Sequence, residues 1–175
     1  MILSAKVSNI NPTHNRAASL KRLLESLEAS ACLEETQLEI IVVNNHSTDA
    51  TSQVLTEVLA EDRRFPILVL DEFKHGKSWA LNLGLGRVTG SLVLLLDDDI
   101  SVDRFCVAEH VAAYKDGLFD AVQGKVLAGL DPEGQPAELF CLQIPERTRL
   151  PHDPGQSGPG GQGNPGREGL RQAHR

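Results

Sequence analysis

Cysteine is scarce in this sequence of 175 residues, and the three cysteines that occur are far apart. Cys32, Cys106 and Cys141 form no C-x-x-C pair. A disulfide framework or a structural zinc site needs more thiol ligands at closer spacing, so both are excluded. We expect three reduced, mostly buried thiols with a structural role.

Long apolar runs are also absent. The longest ones, such as residues 92–96, have the length of a strand, whereas a membrane helix needs about 18 consecutive apolar residues. The N-terminus reads Met-Ile-Leu-Ser-Ala-Lys and has no basic segment followed by a long apolar one. It therefore predicts no signal peptide. We expect no membrane span in this chain and a cytoplasmic location.

Basic residues are fewer than acidic residues. The chain has 17 Lys and Arg against 24 Asp and Glu, a net charge of −7. Non-specific affinity for nucleic acid comes from clustered positive charge. The charge balance therefore predicts that nucleic acid is not a partner.

The composition changes near residue 150. Over the whole chain 41% of residues are hydrophobic and 23% are charged, a balance typical of a globular protein. In residues 151–175, however, 11 residues are Gly or Pro, and only Leu170 and Ala173 are apolar. Such a segment buries too little surface to offset the entropy lost on ordering. We predict one folded domain over residues 1–150 and a disordered tail over residues 151–175.

Within the predicted domain, short apolar runs alternate with helical periodicity. The predicted strands cover residues 5–10, 38–43, 67–70, 91–96 and 121–127. Helical patterns begin at Arg16 and after Asp49, and cover residues 78–88 and 103–115. This alternation predicts an α/β fold with a mainly parallel, doubly wound sheet and helices on both faces. The run at 91–96 is apolar throughout, which is typical of a strand covered on both faces.

Four loops follow the predicted strands, at residues 11–15, 44–49, 71–77 and 97–101. In open α/β sheets, ligands bind outside the carboxyl ends of the strands. The most informative loop contains Asp97, Asp98 and Asp99 directly after an apolar strand. Adjacent carboxylates repel one another, but together they suit a hard divalent cation that bridges a diphosphate. A solvated acidic turn is the alternative. If the chain stays extended here, Asp97 and Asp99 diverge from Asp98.

The other three loops are polar or basic. The loop at 11–16 (NPTHNR) places polar groups beside a helix start, where backbone amides can meet an anion. Asn44 and Asn45 suit either a base or ribose contact or an Asx turn. We expect Asp49 to cap the following helix and His46 to have a conformational role. The loop at 74–78 (KHGKS) is not a Walker P-loop, and it suits either a phosphate or a solvated basic turn.

Taken in order, these segments resemble the motifs of the family 2 glycosyltransferases, which have the GT-A nucleotide-diphospho-sugar transferase fold. Residues 11–16 resemble I-P-T-Y-N-R, and residues 40–49 (IIVVNNHSTD) resemble V-V-D-D-G-S-T-D. Residues 76–84 (GKSWALNLG) resemble G-K-x-x-A-L-N-x-G, and residues 89–99 (TGSLVLLLDDD) resemble T-G-x-x-x-x-x-L-D-x-D. Each motif is weak alone, but four in the correct order and spacing are specific.

The resemblance implies a metal-dependent glycosyltransferase that binds a nucleotide-diphospho-sugar donor and transfers the sugar to an unknown acceptor, whether saccharide, lipid or protein. The implied cofactor is Mn²⁺ or Mg²⁺. Asp99 would be the principal metal ligand, and Asp97 and Asp98 would contact the metal or the ribose. The residues that would line the donor nucleotide pocket are Thr13, Asn15, Arg16, Asn45 and Lys77.

Two departures from the family pattern affect these expectations. Asn44-Asn45-His46 replaces the usual Asp-Asp-Gly, which removes negative charge from the contact with the nucleobase. The preferred nucleobase is therefore not predicted. No Glu-Asp pair and no Q-x-x-R-W motif of the acceptor half is present, so no catalytic base is identified. We expect a truncated, donor-binding half with weak or absent transfer. A nucleotidyltransferase-like enzyme and a non-catalytic remnant are the alternatives.

Overall fold

A computed structural model describes residues 5–32, 36–114, 120–130, 136–141 and 147–148. The tail predicted at 151–175 and the domain boundary at residue 150 lie outside these residues. Of the predicted free thiols, Cys106 is buried and Cys32 is partly buried, and neither forms a disulfide.

Helices and strands alternate through the first half of the chain. Its strands are β1 (Lys6–Thr13), β2 (Gln37–Asn44), β3 (Ile67–Asp71) and β4 (Leu92–Leu95), and its helices are α1 (Ala17–Glu28), α2 (Thr51–Ala60) and α3 (Lys77–Leu85). After these come β5 (Ile100–Val102), α4 (Cys106–Tyr114), β6 (Ala121–Val122), β7 (Lys125–Leu130), β8 (Pro136–Cys141) and β9 (Arg147–Thr148).

The main sheet has four strands in the order β3-β2-β1-β4, and every neighbouring pair is parallel. The predicted parallel sheet is therefore confirmed. A second sheet has the order β5-β8-β7, in which β7 and β8 are antiparallel, and β6 pairs with β9. Because β1 to β4 run in one direction, their carboxyl ends lie along one edge.

Helices cover both faces of the main sheet, as predicted. On one face, α1 packs its four leucines against β1, β2 and β4, with α2 and α4 in the same cluster. Those leucines, Leu20, Leu23, Leu24 and Leu27, are all buried. On the other face, Ala80 of α3 packs against Ile10, Ile41 and Val43.

The predicted covering of β4 on both faces is wrong for the residues described. Leu94 is buried, but Val93 is 43% and Leu95 is 52% exposed. Helix α3 packs mainly on β1 and β2 and therefore leaves these β4 side chains partly open to solvent.

The strands differ from the sequence prediction most at the end of β1 and in the segment after β4. Strand β1 continues to Thr13, so residues 11–13 belong to the strand and not to the loop. Pro12 has no backbone N–H to donate to a neighbouring strand. It is compatible with this extension because the pairing of β1 with β4 ends before it, at Ile10 and Leu95. The strand predicted at 121–127 is divided into β6 and β7, and β5 was not predicted.

No helix in the described part of the chain is long and apolar enough to cross a membrane. The cytoplasmic location stays a prediction.

Candidate functional site

A cavity of about 250 Å³ lies at the carboxyl edge of the main sheet. Its walls come from the ends of β1, β2 and β4 and from the start of α3. The lining residues are Pro12, Thr13, His14, Arg16, Asn45, Lys77, Asp97, Asp98 and Asp99. All of the predicted site residues except Asn15 therefore line one cavity.

The three aspartates have three different partners. Asp97 forms an ion pair with Lys77, the first residue of α3. Asp98 is half-buried, and its Oδ2 accepts a hydrogen bond of 2.7 Å from Thr13 Oγ1. Asp99 Oδ2 lies 3.5 Å from Arg16 Nη1.

The expected divergence of Asp97 and Asp99 from Asp98 assumed an extended chain. The chain instead turns at Asp98 and Asp99, so the alternation of side chains along a strand does not apply to them. All three residues line the same cavity.

The pKa of the Asp98 carboxyl is raised above its usual value. Burial is the main cause, and the neighbouring charge of Asp99 adds to it. The Thr13 hydroxyl, the Arg16 charge and the His14 backbone N–H act in the opposite direction without cancelling the effect of burial. A charged Asp98 therefore lacks full compensation within the folded chain.

The chemistry of this donor set fits a hard divalent cation, because carboxylate oxygens are the ligands that Mg²⁺ and Mn²⁺ prefer. Among the described residues, no three His, Cys, Asp or Glu side chains converge closely enough to hold a metal. Lys77 and Arg16 engage two of the carboxylates instead.

The side chain of Asn45 links the loop after β2 to the loop between β3 and α3. It is buried, and its Nδ2 donates to the backbone oxygens of Glu72 (3.2 Å) and Lys74 (2.6 Å). Its Oδ1 accepts from the Gly76 N–H at 2.8 Å. Both amide hydrogens are thus engaged by the loop between β3 and α3, and the side chain fixes that loop beside the cavity.

The side chain of Asn15 links the loop after β1 to the loop after β2. Its Oδ1 accepts hydrogen bonds from the backbone N–H groups of Thr48 (2.7 Å) and Asp49 (3.3 Å). Asn15 adopts φ 53° and His46 adopts φ 61°, both in the left-handed region. The expected conformational role of His46 agrees with this backbone.

The N-cap residue of α2 is Ala50, which has no side-chain cap hydrogen bond, so Asp49 acts from one residue before the cap and not as the predicted cap itself. Its Oδ1 accepts from the N–H of Thr51, the first residue of α2, at 2.9 Å, and its Oδ2 accepts from the Ala17 N–H at the start of α1. The hydrogen bonds from Thr51 are the main cause of a lowered pKa for this carboxyl.

Sequence reasoning missed a group of three histidines, one from each of three loops. The ring centroids of His46 and His75 are 4.4 Å apart, and those of His14 and His75 are 6.3 Å apart. His14 Nδ1 lies 2.7 Å from the Asn45 carbonyl oxygen, which can only accept, so Nδ1 carries the proton. The available signal was that each of these loops contains one histidine.

The sequence profile of glycosyl transferase family 2 matches residues 8–157. The chain belongs to glycosyl transferase family 2. This match, together with the parallel sheet, confirms the GT-A type of fold and the predicted family. It also removes the support for a nucleotidyltransferase.

Curated relatives in this family match parts of the chain. The undecaprenyl-phosphate 4-deoxy-4-formamido-L-arabinose transferase of Klebsiella pneumoniae is 32% identical over 95 residues, which are 54% of this chain and 29% of that protein. The poly(ribitol-phosphate) beta-N-acetylglucosaminyltransferase TarS of Staphylococcus aureus is 28% identical over 145 residues, which are 83% of this chain and 25% of that protein. The chain thus spans less than a third of the length of either family 2 relative.

Solved structures of glycosyltransferases resemble the fold. The mannosyltransferase PcManGT from Pyrobaculum calidifontis, in complex with GDP-Man and Mn²⁺, has a TM-score of 0.64 and 26% identity over 71% of this chain and 36% of its own. TarS residues 1–349 of S. aureus in complex with UDP-GlcNAc has a TM-score of 0.53 and 26% identity, over 65% of this chain and 32% of its own.

Proposed function

We propose that this chain binds a nucleotide-diphospho-sugar together with Mn²⁺ or Mg²⁺, and that it forms the donor side of a sugar transfer. The observation that carries the proposal is one cavity in which three aspartates meet two basic side chains at the carboxyl edge of the sheet. Support also comes from PcManGT, which was solved with GDP-Man and Mn²⁺, and from TarS, which was solved with UDP-GlcNAc.

In this proposal Asp99 and Asp97 hold the cation, and Asp98 contacts the cation or the ribose. All three residues line the cavity and carry carboxylate oxygens. When bound, the cation neutralises the diphosphate as it becomes the leaving group. Thr13, which is almost fully buried, positions the Asp98 carboxylate from the end of β1.

Arg16 and Lys77 supply positive charge for the two phosphates. Both side chains are about half exposed and reach the cavity from helix starts, Arg16 before α1 and Lys77 at the first turn of α3. Backbone N–H groups at a helix start also favour an anion. Asn15 and Asn45 shape the nucleoside pocket, because their side chains fix the loops that form its wall.

The acceptor stays unassigned, as a saccharide, a lipid or a protein. Transfer to a hydroxyl needs a base within hydrogen-bond reach. Among the described residues, the acidic side chains on the cavity are the three aspartates assigned to the donor. We therefore propose that this chain binds donor but transfers sugar slowly. A non-catalytic donor-binding domain is the second candidate, and the same observation favours it.

Calorimetric titration of UDP-GlcNAc and GDP-mannose in the presence of Mn²⁺ tests donor binding. Asp99→Ala should weaken the binding of the preferred donor by about 2–4 kcal/mol, because a charge-assisted ligand is lost. Asp62→Ala removes the same charge from an exposed residue between α2 and β3 and is the matched control. Equal donor affinity in the two variants would contradict the assignment of Asp99.

A further inference from the structure

The basic residues of the cavity engage the carboxylates that the proposed cation needs. Lys77 Nζ pairs with Asp97 Oδ1, and Arg16 Nη1 lies 3.5 Å from Asp99 Oδ2. With Asp98 held by Thr13, each carboxylate has a separate partner. This explains why acidic side chains that line one cavity do not converge on a single point.

Lys77 occupies an electrostatically unfavourable position. It is the first residue of α3, where the helix dipole already carries positive charge and favours an anion. In this structure the anion is the Asp97 carboxylate. The pair is weak, because the side chain of Lys77 is 59% exposed and that of Asp97 is 55% exposed. A diphosphate carries more negative charge than one carboxylate and can displace it.

We propose, on the basis of the donor site described above, that Lys77 and Arg16 are exchangeable counterions. Without donor they neutralise Asp97 and Asp99. When a cation and a diphosphate bind together, the two basic side chains pass to the phosphate oxygens and the carboxylates are released to the cation. Binding of the cation frees the basic side chains for the diphosphate, and binding of the diphosphate frees the carboxylates for the cation. The two ligands therefore bind cooperatively.

This exchange predicts opposite effects of one substitution. Lys77→Met keeps the length of the side chain and removes its charge. Without nucleotide, the variant should bind Mn²⁺ about two- to fivefold more tightly, since no lysine competes for Asp97. With saturating Mn²⁺, it should bind the nucleoside diphosphate about 10- to 100-fold more weakly, since a charge-assisted contact is lost.

The experiment measures Mn²⁺ affinity by electron paramagnetic resonance of the free ion, and UDP and GDP affinity by calorimetry. Lys74→Met is the control, because Lys74 carries the same charge three residues away but lies over the Trp79 ring at 4.2 Å and does not line the cavity. It separates the loss of a direct ion pair from a general change in the local field. Thermal unfolding of each variant checks that it folds.

Tighter Mn²⁺ binding and weaker nucleotide binding by Lys77→Met, with less than about a twofold change in Lys74→Met, is the expected result. A Mn²⁺ affinity in Lys77→Met that is unchanged, lower, or matched by Lys74→Met overturns the exchange. An unchanged nucleotide affinity also overturns it. If the wild-type chain binds neither nucleotide in the presence of Mn²⁺, the proposed function itself fails, which is a different result.

Discussion

Asp98 is the half-buried member of the three cavity aspartates, and its environment opposes its charge. The folded chain holds the Asp98 proton more tightly than the unfolded chain does, because burial raises the pKa of this carboxyl. The free energy of unfolding therefore falls as the pH rises from the ordinary carboxyl value through the raised one. Such a cost is typical of a group kept for function and not for stability.

Asp98→Asn should therefore stabilise the metal-free chain at neutral pH. Because the site is partly open to solvent, the gain is expected to be about 0.5 kcal/mol, or about 2 °C in Tm. The gain should disappear below the ordinary carboxyl pKa, where Asp98 is protonated in both states. Thermal unfolding in EDTA at several pH values measures it, with Asp62→Asn as the exposed control. A lower Tm for Asp98→Asn at neutral pH would show that the charge stabilises the fold.

The roles of single residues in the loops were the hardest to predict from the sequence. The chemistry of Asn45 was consistent with contacting a base or ribose and with forming an Asx turn. The structure decides how its amide is engaged because the loop between β3 and α3 reaches it across 27 and 29 residues of sequence. No local pattern contains that contact. The aspartate triplet was predictable, because its chemistry and its place after an apolar strand are both local.

At the scale of the element, α3 approaches the sheet more closely than a side chain allows. A Cβ on Gly84 would lie 2.7 Å from Ile10 Cγ2 and 3.3 Å from Val43 Cγ2. The glycine thus brings α3 onto β1 and β2, and this contact positions Lys77 at the other end of the helix beside the cavity.

Gly84→Ala should lower the free energy of unfolding by about 1–3 kcal/mol, because the added methyl group overpacks the core. Gly86→Ala is the matched control. It has φ −68°, and its nearest contacts would be 3.4 and 3.6 Å, so we expect no loss or a gain of about 0.4–1 kcal/mol. Denaturant unfolding compares the two variants. Equal stability of both would contradict the close approach of α3.

Contacts with β1 and β2 explain why threonine and glycine occupy positions 89 and 90. The Thr89 hydroxyl donates to Glu39 of β2, and the Gly90 N–H donates to Ser8 Oγ of β1 at 2.8 Å. A Cβ on Gly90 would lie 2.6 Å from the backbone oxygen of Lys6. Burial would raise the pKa of Glu39, but hydrogen bonds from Ser8 and Thr89 and the charge of Lys6 together lower it. The segment therefore ties the entry of β4 to the two central strands.

Elements with strong periodicity were predictable, and elements made by distant pairing were not. The four buried leucines of α1 and the apolar strand β2 follow from local spacing. Strand β5 has three residues and exists through its pairing with β8, more than 30 positions later. The exposed face of β4 was not predicted for a related reason. An apolar run in the sequence does not show whether a helix covers each face of the strand.

At the scale of the whole molecule, the chain covers 29% of the Klebsiella relative and 25% of TarS. The described part of the chain contains the sheet edge with the residues that we propose to bind the donor. Positioning of the acceptor and removal of its proton, worth about 10²–10⁴-fold in rate, need groups beyond those on the described cavity.

We therefore expect this chain on its own to release nucleoside diphosphate slowly, whether or not an acceptor is added. An assay of UDP and GDP release against saccharide, lipid and protein acceptors measures this. Acceptor-dependent turnover of about 1 s⁻¹ or faster, an ordinary enzymatic rate, would mean that the chain supplies its own base and acceptor site.

We propose that a divalent cation and a nucleoside diphosphate share the cavity lined by Asp97, Asp98 and Asp99. Calorimetric titration of UDP and GDP into the wild-type chain, once with Mn²⁺ and once with EDTA, tests it most directly. We expect saturable binding of one of the two nucleotides with Mn²⁺ and at least about tenfold weaker binding with EDTA. Equal affinity under the two conditions would contradict it.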